Sequence, residues 1–334
     1  KSTICIQQAF YLSMKKKKKV LVVDMDGQGN TSSRLAAKRE LEDGEFEPVF
    51  SGTKTAELFA HEISHIEVMH CPCGADLIHT PKNDPDLFEM EAVPLDQAMN
   101  PARHLAVLFE QYDYVLIDCA PSLGRKLVAA LVMSTHVACP VKLSGFAVDG
   151  VEGLLNTIIG VRAEYNPELE ILGILINDMD RSVNHDKSLK ALQKEVPELL
   201  FQNKIMHRPP LDTATTDGVP VWELQYGHVA AKEVQAVLEE MIEKVGLSEL
   251  ANVAKGKTGK QVLSVPVEDV VSKAQVRKRF RNIEELAATL VTEGQQSPII
   301  VSPKGEDGKY VIQKGERRWR ACKHADIPTI DIIV

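Results

Sequence analysis

The first 245 residues alternate short apolar runs with longer amphipathic stretches. The apolar runs predict strands, at residues 20–23, 114–117, 137–141, 171–176 and 201–206. The amphipathic stretches predict helices, at residues 4–14, 146–161, 187–194 and 229–245, with Pro209 and Pro210 in a turn. Strands that alternate with helices imply right-handed crossovers. We therefore predict an α/β domain over residues 1–245, in which a parallel sheet carries helices on both faces.

The remaining residues show a different pattern. Residues 246–261 contain Gly, Ser and Lys and predict a linker. Shorter elements follow, with strands at 262–267, 298–301, 309–313 and 330–334 and helices at 282–293 and 314–324. We predict a second, smaller α+β domain over residues 262–334.

Charge is divided unevenly along the 334 residues. The net charge is −8, but residues 246–334 hold 15 Lys and Arg against 11 Asp and Glu, which leaves −12 for residues 1–245. A nucleic-acid contact in the first part therefore needs a local patch rather than bulk attraction. No apolar run approaches the ~20 residues of a bilayer span, and six cysteines without a secretory signal favour free thiols. We expect a cytoplasmic protein with no membrane partner.

Five consecutive lysines, residues 15–19, stand directly before the first predicted strand. At a turn between a helix and a strand, cations suit the helix C-terminus, and a solvated turn is the common outcome. The alternative is a localisation or anion-binding role for the lysine run.

Histidines and cysteines gather in the part of the sequence with the weakest pattern, at His61, His65, His70, Cys71, Cys73 and His79. His61 and His65 would share a helical face, which is half of a zinc site. Only one residue separates the two cysteines, however, and no second cysteine pair lies near them. We therefore favour loop and core roles over metal binding.

Carboxylates follow two of the predicted strands, Asp24 and Asp26 after the first and Asp118 after the second. A single acid at a strand end is commonly a turn or helix-capping residue. Open α/β sheets, however, place their ligands at the carboxyl ends of the strands, so three such acids point to one site. Residues 1–3, Lys-Ser-Thr, fit the end of a phosphate-binding loop, whose lysine reaches phosphate oxygens and whose hydroxyl holds Mg²⁺. Together they predict a magnesium–nucleotide site.

At these residues the chain resembles the ParA family of partition ATPases, which have a deviant Walker P-loop. The matching segments are KST (1–3), VVDMDGQGN (22–30), YDYVLIDCAPSLG (112–124) and residues 172–180 and 205–221. They cover residues 1–245 in the family's order. The resemblance implies a P-loop NTPase fold, ATP and Mg²⁺ as cofactors, and a homodimer that binds non-specific DNA. It also implies a ParB-type partner protein that stimulates hydrolysis, and association with the bacterial nucleoid.

The resemblance assigns roles to individual residues. Lys1 would act in catalysis and bind phosphate, Ser2 would ligate Mg²⁺, and Thr3 would complete the loop. Asp26 would orient the attacking water, and Asp118 would hold Mg²⁺ through water. Near adenine it implies Asn177, Arg208 and Pro209.

Two positions depart from the family pattern. Gly27 stands where the family usually has proline, and Asp212-Thr213 replaces an acidic and alanine pair. The loop glycines, and a strand expected beside residues 19–30, would precede residue 1. We therefore expect the chain to carry the end of the phosphate loop without its beginning.

Residues 262–334 resemble the N-terminal domain of ParB-type partition proteins, which shares its fold with sulfiredoxin. The resemblance is carried by RKRF (277–280), GQQSPIIV (294–301) and GERRWR (315–320). In that family the GERR segment binds the triphosphate of CTP, which implies a CTP site at Gly315, Glu316, Arg317 and Arg318. A glycine at a helix start frees backbone amides for phosphate, and arginines supply forked donors. Trp319 is expected in the core.

Two functions compete, and a third, weaker option is a related ATPase that positions other cargo, against which the ParB resemblance argues. The first is a DNA-segregation ATPase, for a plasmid or a chromosome, joined to the start of its ParB-type partner. The second is a CTP-dependent DNA clamp or repressor fragment whose ATPase half is vestigial. Hydrolysis of ATP by the chain separates them.

Overall fold

The structure is a computed structural model that describes residues 1–143, 147–254 and 262–272, together with residues 283–284, 287, 290–291, 295, 298–302, 304–305 and 308–334. The predicted linker residues 255–261 and the RKRF segment, 277–280, lie outside the described residues. Contacts divide the chain into two compact units, Lys1–Ile242 and Glu243–Val334. Among the described residues, no helix is long and apolar enough to cross a bilayer.

The first unit begins with a helix and a fully buried strand. Helix α1 (Ser2–Phe10) continues as a π-helical turn (Tyr11–Lys15) and leads into β1 (Val20–Met25), whose six residues are all buried. The next elements are α2 (Asn30–Leu35), β2 (Lys38–Glu40), β3 (Phe46–Pro48), β4 (Met69–His70), β5 (Asp76–Ile78), α3 (Pro85–Glu89), α4 (Asn100–Phe109) and β6 (Tyr114–Cys119). Burial on both faces explains the unbroken apolar run of β1.

β1 lies at the centre of a four-stranded sheet of order β4-β5-β1-β6. It pairs in parallel with β5 on one edge and with β6 on the other, and β4 adds an antiparallel edge strand. The prediction that a strand preceding residue 1 lies beside β1 is therefore wrong, because β5 and β6 occupy both of its edges. The register joins Val20 to Tyr114 and Asp24 to Asp118, so β1 and β6 end level with each other.

Helices cover both faces of β1. Val20 and Val22 pack in a cluster with Ile6 and Leu12 from α1 and the turn after it. Leu21, Val23 and Met25 pack on the opposite face, in a cluster that includes Leu105 of α4 and Ala129. The two clusters confirm the predicted parallel sheet with helices on both sides.

The second half of this unit contains another parallel pair. Its elements are α5 (Arg125–Val132), β7 (His136–Lys142), α6 (Ala147–Glu164), β8 (Glu170–Asn177), α7 (Val183–Glu195), α8 (Pro209–Asp217) and α9 (His228–Ala254). β7 and β8 form a two-stranded parallel sheet within the described residues, with Lys142 opposite Asn177.

Three predictions in this half need correction. Single bridges, at Leu200 and Met206, replace the strand expected at residues 201–206. Pro209 and Pro210 begin α8 rather than forming a turn, because the missing proline N–H is not needed in the first turn of a helix. Helix α9 continues past residue 245 to Ala254, so the first part of the predicted linker is helical.

The second unit has a five-stranded mixed sheet of order β10-β12-β11-β13-β9. Its elements are β9 (Val262–Pro266), β10 (Val270–Val271), β11 (Ile299–Val301), β12 (Tyr310–Lys314), α10 (Glu316–His324) and β13 (Thr329–Ile333). Ala321 and Cys322 of α10 share a buried cluster with Ile299 and Ile332 of the sheet. This confirms the predicted α+β fold, although β10 is too short to be recognised from its sequence.

Candidate functional site

Two carboxylates lie side by side where β1 and β6 end. Asp24 and Asp118 are register partners, and they are 0% and 3% exposed. Burial raises the pKa of both carboxyls above the usual range, and the charge of Asp118 raises the pKa of Asp24 further. Such a pair favours a neighbouring cation or a proton.

Asp24 holds the turn that follows β1. Its Oδ2 accepts hydrogen bonds from the Ser32 backbone N–H at 2.8 Å and from Ser32 Oγ at 2.7 Å. Its Oδ1 accepts from the Asp26 backbone N–H at 3.2 Å. The Thr80 N–H donates to Ser32 Oγ at 2.8 Å, and the Thr80 hydroxyl donates to the Asp24 carbonyl. The hydrogen bonds of Asp24 thus fix the conformation of this turn. Sequence reasoning missed both Ser32, whose only signal was the hydroxyl-rich turn of residues 27–33, and Thr80, which no local pattern marks.

Asp118 gathers the hydroxyl groups of the site. Thr31 Oγ1 donates to Asp118 Oδ2 at 2.6 Å, and the Ser2 side chain hydrogen-bonds the same carboxyl. Lys1 Nζ reaches the carbonyl oxygen of Ala120 at 3.5 Å. The structure therefore brings Lys1 and Ser2 to the end of β6. Thr31 was missed.

Asp26 lies at the surface end of this arrangement. It is 9% exposed, and its Oδ1 accepts a hydrogen bond from the Gln28 backbone N–H at 3.0 Å. Gly29 turns the chain with φ of 63°, and a Cβ there would lie 2.5 Å from the Pro81 carbonyl oxygen. The turn thus requires glycine at this position, and it leaves the second oxygen of Asp26 to contact a ligand or water.

Helix α3 packs against the same turn. The Asp84 N–H donates to the Gly27 carbonyl at 2.9 Å, and a Cβ on Gly27 would lie 2.8 Å from Phe88 Cε1. Phe88 thus fills the space that a side chain at position 27 would need.

A buried lysine lies behind α3. The Lys126 side chain is 4% exposed, and its Nζ lies 3.5 Å from Glu91 Oε1 and 5.2 Å from the centre of the Phe88 ring. Ser122 Oγ also donates to Glu91 Oε1, at 2.8 Å. The loop after β6 is thereby tied to α3. Sequence reasoning did not single out this pair, since nothing in the local pattern marks a buried lysine.

The oxygen atoms around Asp118 suit Mg²⁺ bound together with phosphate. Ser2, Thr31 and Asp118 offer two hydroxyls and one carboxylate, all hard oxygen ligands. Mg²⁺ in nucleotide sites uses one or two protein oxygens and completes its shell with water and phosphate. Within the described residues no group of three or more His, Cys, Asp and Glu could hold a metal alone.

The residues predicted near adenine meet at the end of β8. Asp178, which follows Asn177, pairs with Lys142 at 2.5 Å and with His207 Nδ1 at 2.7 Å. Arg208 binds Glu233 of α9 through two hydrogen bonds, of 2.6 and 3.2 Å. Asn177 and the segment that begins with His207 therefore lie together, and Pro209 starts α8 beside them.

The residues at the end of β8 and the start of α8 pack in the same hydrophobic cluster as α1, the helix that follows Lys1. Ile4 of α1 shares a buried cluster with Leu175 of β8 and with Leu211 and Ala214 of α8. The starts of α1 and α8 thus belong to one layer of the unit.

In the second unit, Gly315 is the N-cap residue directly before helix α10 and has φ of 101°. A Cβ at this position would also lie 2.5 Å from Ile299 Cγ2. Both the left-handed backbone and the close contact with Ile299 therefore require glycine. Glu316 is buried and accepts two hydrogen bonds from Arg320, at 2.7 and 3.0 Å. Burial lowers the pKa of Arg318.

Trp319 Nε1 donates to the Val267 carbonyl at 3.2 Å, and the ring packs on the core cluster. The side chain of Arg317 lies outside the described residues. The roles predicted for Gly315, Glu316, Arg317 and Arg318 stay predictions.

The histidine and cysteine cluster is spread over loops and core. His70 Nδ1 pairs with Asp76 Oδ1 at 2.5 Å, whereas His79 stacks on Phe50 with ring centres 4.8 Å apart. Burial raises the pKa of both Cys71 and Cys73, which keeps them in the thiol form. These contacts fit the loop and core interpretation.

Comparison with known proteins places both parts of the chain. A family model described as an AAA domain matches residues 1–171, and one described as the ParB N-terminal domain matches residues 251–334. The chromosome-partitioning ATPase Soj of Thermus thermophilus is 30% identical over 246 residues, which span 73% of this chain and 91% of Soj. Protein IncC of Escherichia coli is 27% identical over 235 residues, which span 69% of this chain and 62% of IncC. The chain thus matches less than two thirds of the length of IncC.

Solved structures share the fold of the first unit. The ATP complex of McdA from Cyanothece has a TM-score of 0.59 at 19% identity and covers 73% of this chain and 92% of its own. Cobyrinic acid a,c-diamide synthase from Mycobacterium smegmatis, with bound ADP and magnesium, has a TM-score of 0.53 at 24% identity and covers 71% of this chain and 88% of its own. The chain therefore belongs to the ParA/Soj family of P-loop partition ATPases, and a ParB N-terminal domain follows its ATPase domain.

Proposed function

We propose that the protein is a DNA-partition ATPase that binds and hydrolyses Mg²⁺-ATP where β1 and β6 end. The observation that carries the proposal is the register pairing of Asp24 with Asp118. Asp26 hydrogen-bonds Asp24 through its backbone N–H, and the side chains of Ser2 and Thr31 hydrogen-bond Asp118. ATP in the McdA complex, and ADP with magnesium in the synthase, support the same ligands for this chain.

Each residue has a defined task in the proposed reaction. Lys1 binds phosphate oxygens, and Ser2 and Asp118 hold Mg²⁺, the carboxylate through water. The ion, when bound, neutralises charge on the phosphate oxygens. Asp26 accepts a hydrogen bond from the attacking water and orients it, while the buried hydrogen bonds from Ser32 to Asp24 keep the turn in place. The adenine base would lie near Asn177, Arg208 and Pro209.

We further propose a cycle of assembly around this site. ATP holds two copies of the chain in a dimer that binds DNA without sequence preference, and a ParB-type partner stimulates hydrolysis by supplying a cation to the transition state. The partition relatives and the ParB N-terminal domain support this cycle. In the second domain, CTP would bind at Gly315, Glu316, Arg317 and Arg318. CTP binding that survives Arg317→Ala would remove that assignment.

Equilibrium ATP binding, with and without Mg²⁺, tests the nucleotide site. Asp118→Asn should remove the dependence of affinity on Mg²⁺, whereas Asp113→Asn, at the opposite end of β6, should retain it. Single-turnover hydrolysis with and without DNA then measures the reaction. A chain that binds CTP but neither binds nor hydrolyses ATP would contradict the proposal and favour the CTP-dependent clamp.

A further inference from the structure

The five lysines of residues 15–19, here called the lysine turn, are all exposed. They complete the π-helical end of α1 and lead into β1. Two carboxylates lie against them, Glu239 at 2.5 Å from Lys16 Nζ and Asp113 at 3.7 Å from Lys18 Nζ. Five ammonium groups against two carboxylates leave an excess of positive charge on a part of the chain that is acidic in total.

Lys17 has a backbone conformation that glycine adopts at lower cost. Its φ of 53° is left-handed, and the Lys18 N–H donates to the Leu12 carbonyl at 2.9 Å to close the helix end. Glycine is the usual residue at such a position. Lys17 forms no ion pair with any residue that the structure describes. Local stability therefore does not account for a lysine here.

Aromatic rings hold the two outer lysines of the turn. Lys15 Nζ lies 4.6 Å from the centre of the Trp222 ring, and Lys19 Nζ lies 4.8 Å from that of Tyr112. These contacts order the side-chain stems before any ligand arrives, which reduces the entropy lost on binding.

We propose that the lysine turn binds the phosphate backbone of duplex DNA, an inference that rests on the DNA binding proposed above. Ammonium groups on flexible stems act as point charges toward phosphates and read no base sequence. A membrane surface is disfavoured because Tyr11 and Leu12, beside the turn, are 6% and 0% exposed and add almost no exposed apolar surface to the charge. The turn enters the amino end of β1, whereas Asp24 lies near its carboxyl end, so bound DNA would not touch the nucleotide.

The test neutralises the three lysines that have no carboxylate partner among their described side-chain contacts. Lys15→Gln, Lys17→Gln and Lys19→Gln are combined, which retains the ion pairs of Lys16 and Lys18. A matched control combines Lys187→Gln, Lys190→Gln and Lys194→Gln, all exposed on α7. Affinity for a fluorescent duplex of arbitrary sequence, about 30 base pairs long, is measured with Mg²⁺-ATP between about 50 and about 200 mM salt.

We expect the lysine-turn variant to bind DNA at least about tenfold more weakly, with a salt slope reduced by about two to three. Its ATP hydrolysis without DNA should match wild type, and the α7 control should bind DNA like wild type. Unchanged DNA binding by the lysine-turn variant, or an equal loss in the control, would overturn the assignment. The assignment would also be overturned if wild type bound anionic lipid vesicles but did not bind DNA. Wild type that binds no DNA in any nucleotide state would instead overturn the DNA binding proposed above.

Lys17→Gly separates binding from folding. It should raise the melting temperature, because glycine relieves the left-handed backbone, and yet weaken DNA binding. Greater stability with unchanged DNA affinity would contradict a binding role for Lys17.

Discussion

Phe88 lies so close to Gly27 that a Cβ on the glycine would be 2.8 Å from Phe88 Cε1. Gly27 directly follows Asp26, and its carbonyl accepts a hydrogen bond from the Asp84 N–H at 2.9 Å. Helix α3 thus touches the turn that presents the proposed water-orienting carboxylate. A side chain at position 27 would therefore compete with Phe88 for the same space.

Gly27→Ala should therefore displace Phe88 and destabilise the protein by about 1 kcal/mol, because the Phe88 ring is partly exposed and yields at modest cost. Urea denaturation measures this change. In a chain that already carries Phe88→Ala, Gly27→Ala should cause little further loss of stability, since the colliding ring is absent. Additive effects of the two substitutions would contradict the contact.

Ser32→Ala removes a buried hydroxyl that donates to Asp24 at 2.7 Å and accepts from the Thr80 N–H at 2.8 Å. We expect a loss of about 2–3 kcal/mol in the free energy of unfolding, because a buried N–H loses its acceptor. Ser33→Ala is the matched control. Its hydroxyl donates to the Gly29 carbonyl within the helix and is only half-buried, so the loss should stay below about 1 kcal/mol. Equal losses at the two positions would argue against the Asp24 network.

The buried Lys126 should respond asymmetrically to removal of either member of its pair. Glu91→Ala leaves the ammonium group without the carboxylate that pairs with it among the described residues, and should cost about 3 kcal/mol. Lys126→Met removes the buried charge at similar volume, and should be nearly neutral. Chemical denaturation of both variants and of the double variant measures the coupling. A larger loss for Lys126→Met than for Glu91→Ala would refute the account of this pair.

Stability without nucleotide should depend on pH through Asp24. Burial and the charge of Asp118 raise the folded pKa of Asp24 above its usual 3.8, so the folded state binds a proton more tightly than the unfolded chain. That contribution to stability is complete below the unfolded pKa and is lost as the pH rises through the folded pKa.

Urea midpoints of wild type and Asp24→Asn, measured without Mg²⁺ at about pH 5 and about pH 8, test this dependence. Wild type should lose stability relative to Asp24→Asn as the pH rises. Parallel profiles would show that Asp24 titrates normally in the folded state.

The sequence could predict those parts of the site that depend on local patterns of apolar and acidic residues. An apolar run that ends in Asp24 and Asp26, and a second that ends in Asp118, predicted strands whose ends meet, and the register confirms that Asp24 and Asp118 are neighbours. The other neighbour of β1, strand β5, could not be predicted, because it has only three residues and its pairing depends on distant segments.

Contacts between distant segments also account for the residues that were missed. Thr80 and Lys126 reach the site through tertiary packing, and neither lies in a sequence pattern that marks it. Helix α9 passes its predicted end at residue 245 because no proline stops it, and the glycine there is tolerated within a long helix.

Single-turnover hydrolysis of ATP by wild type and by Asp26→Ala tests the central claim most directly. Asp43→Ala serves as the control, since Asp43 is an exposed loop acid whose side chain accepts a hydrogen bond from the Glu45 N–H. We predict that Asp26→Ala slows hydrolysis by about a hundredfold or more while Mg²⁺-ATP still binds, and that Asp43→Ala hydrolyses at the wild-type rate. Hydrolysis by Asp26→Ala at the wild-type rate would contradict the assignment of this strand end as the catalytic site.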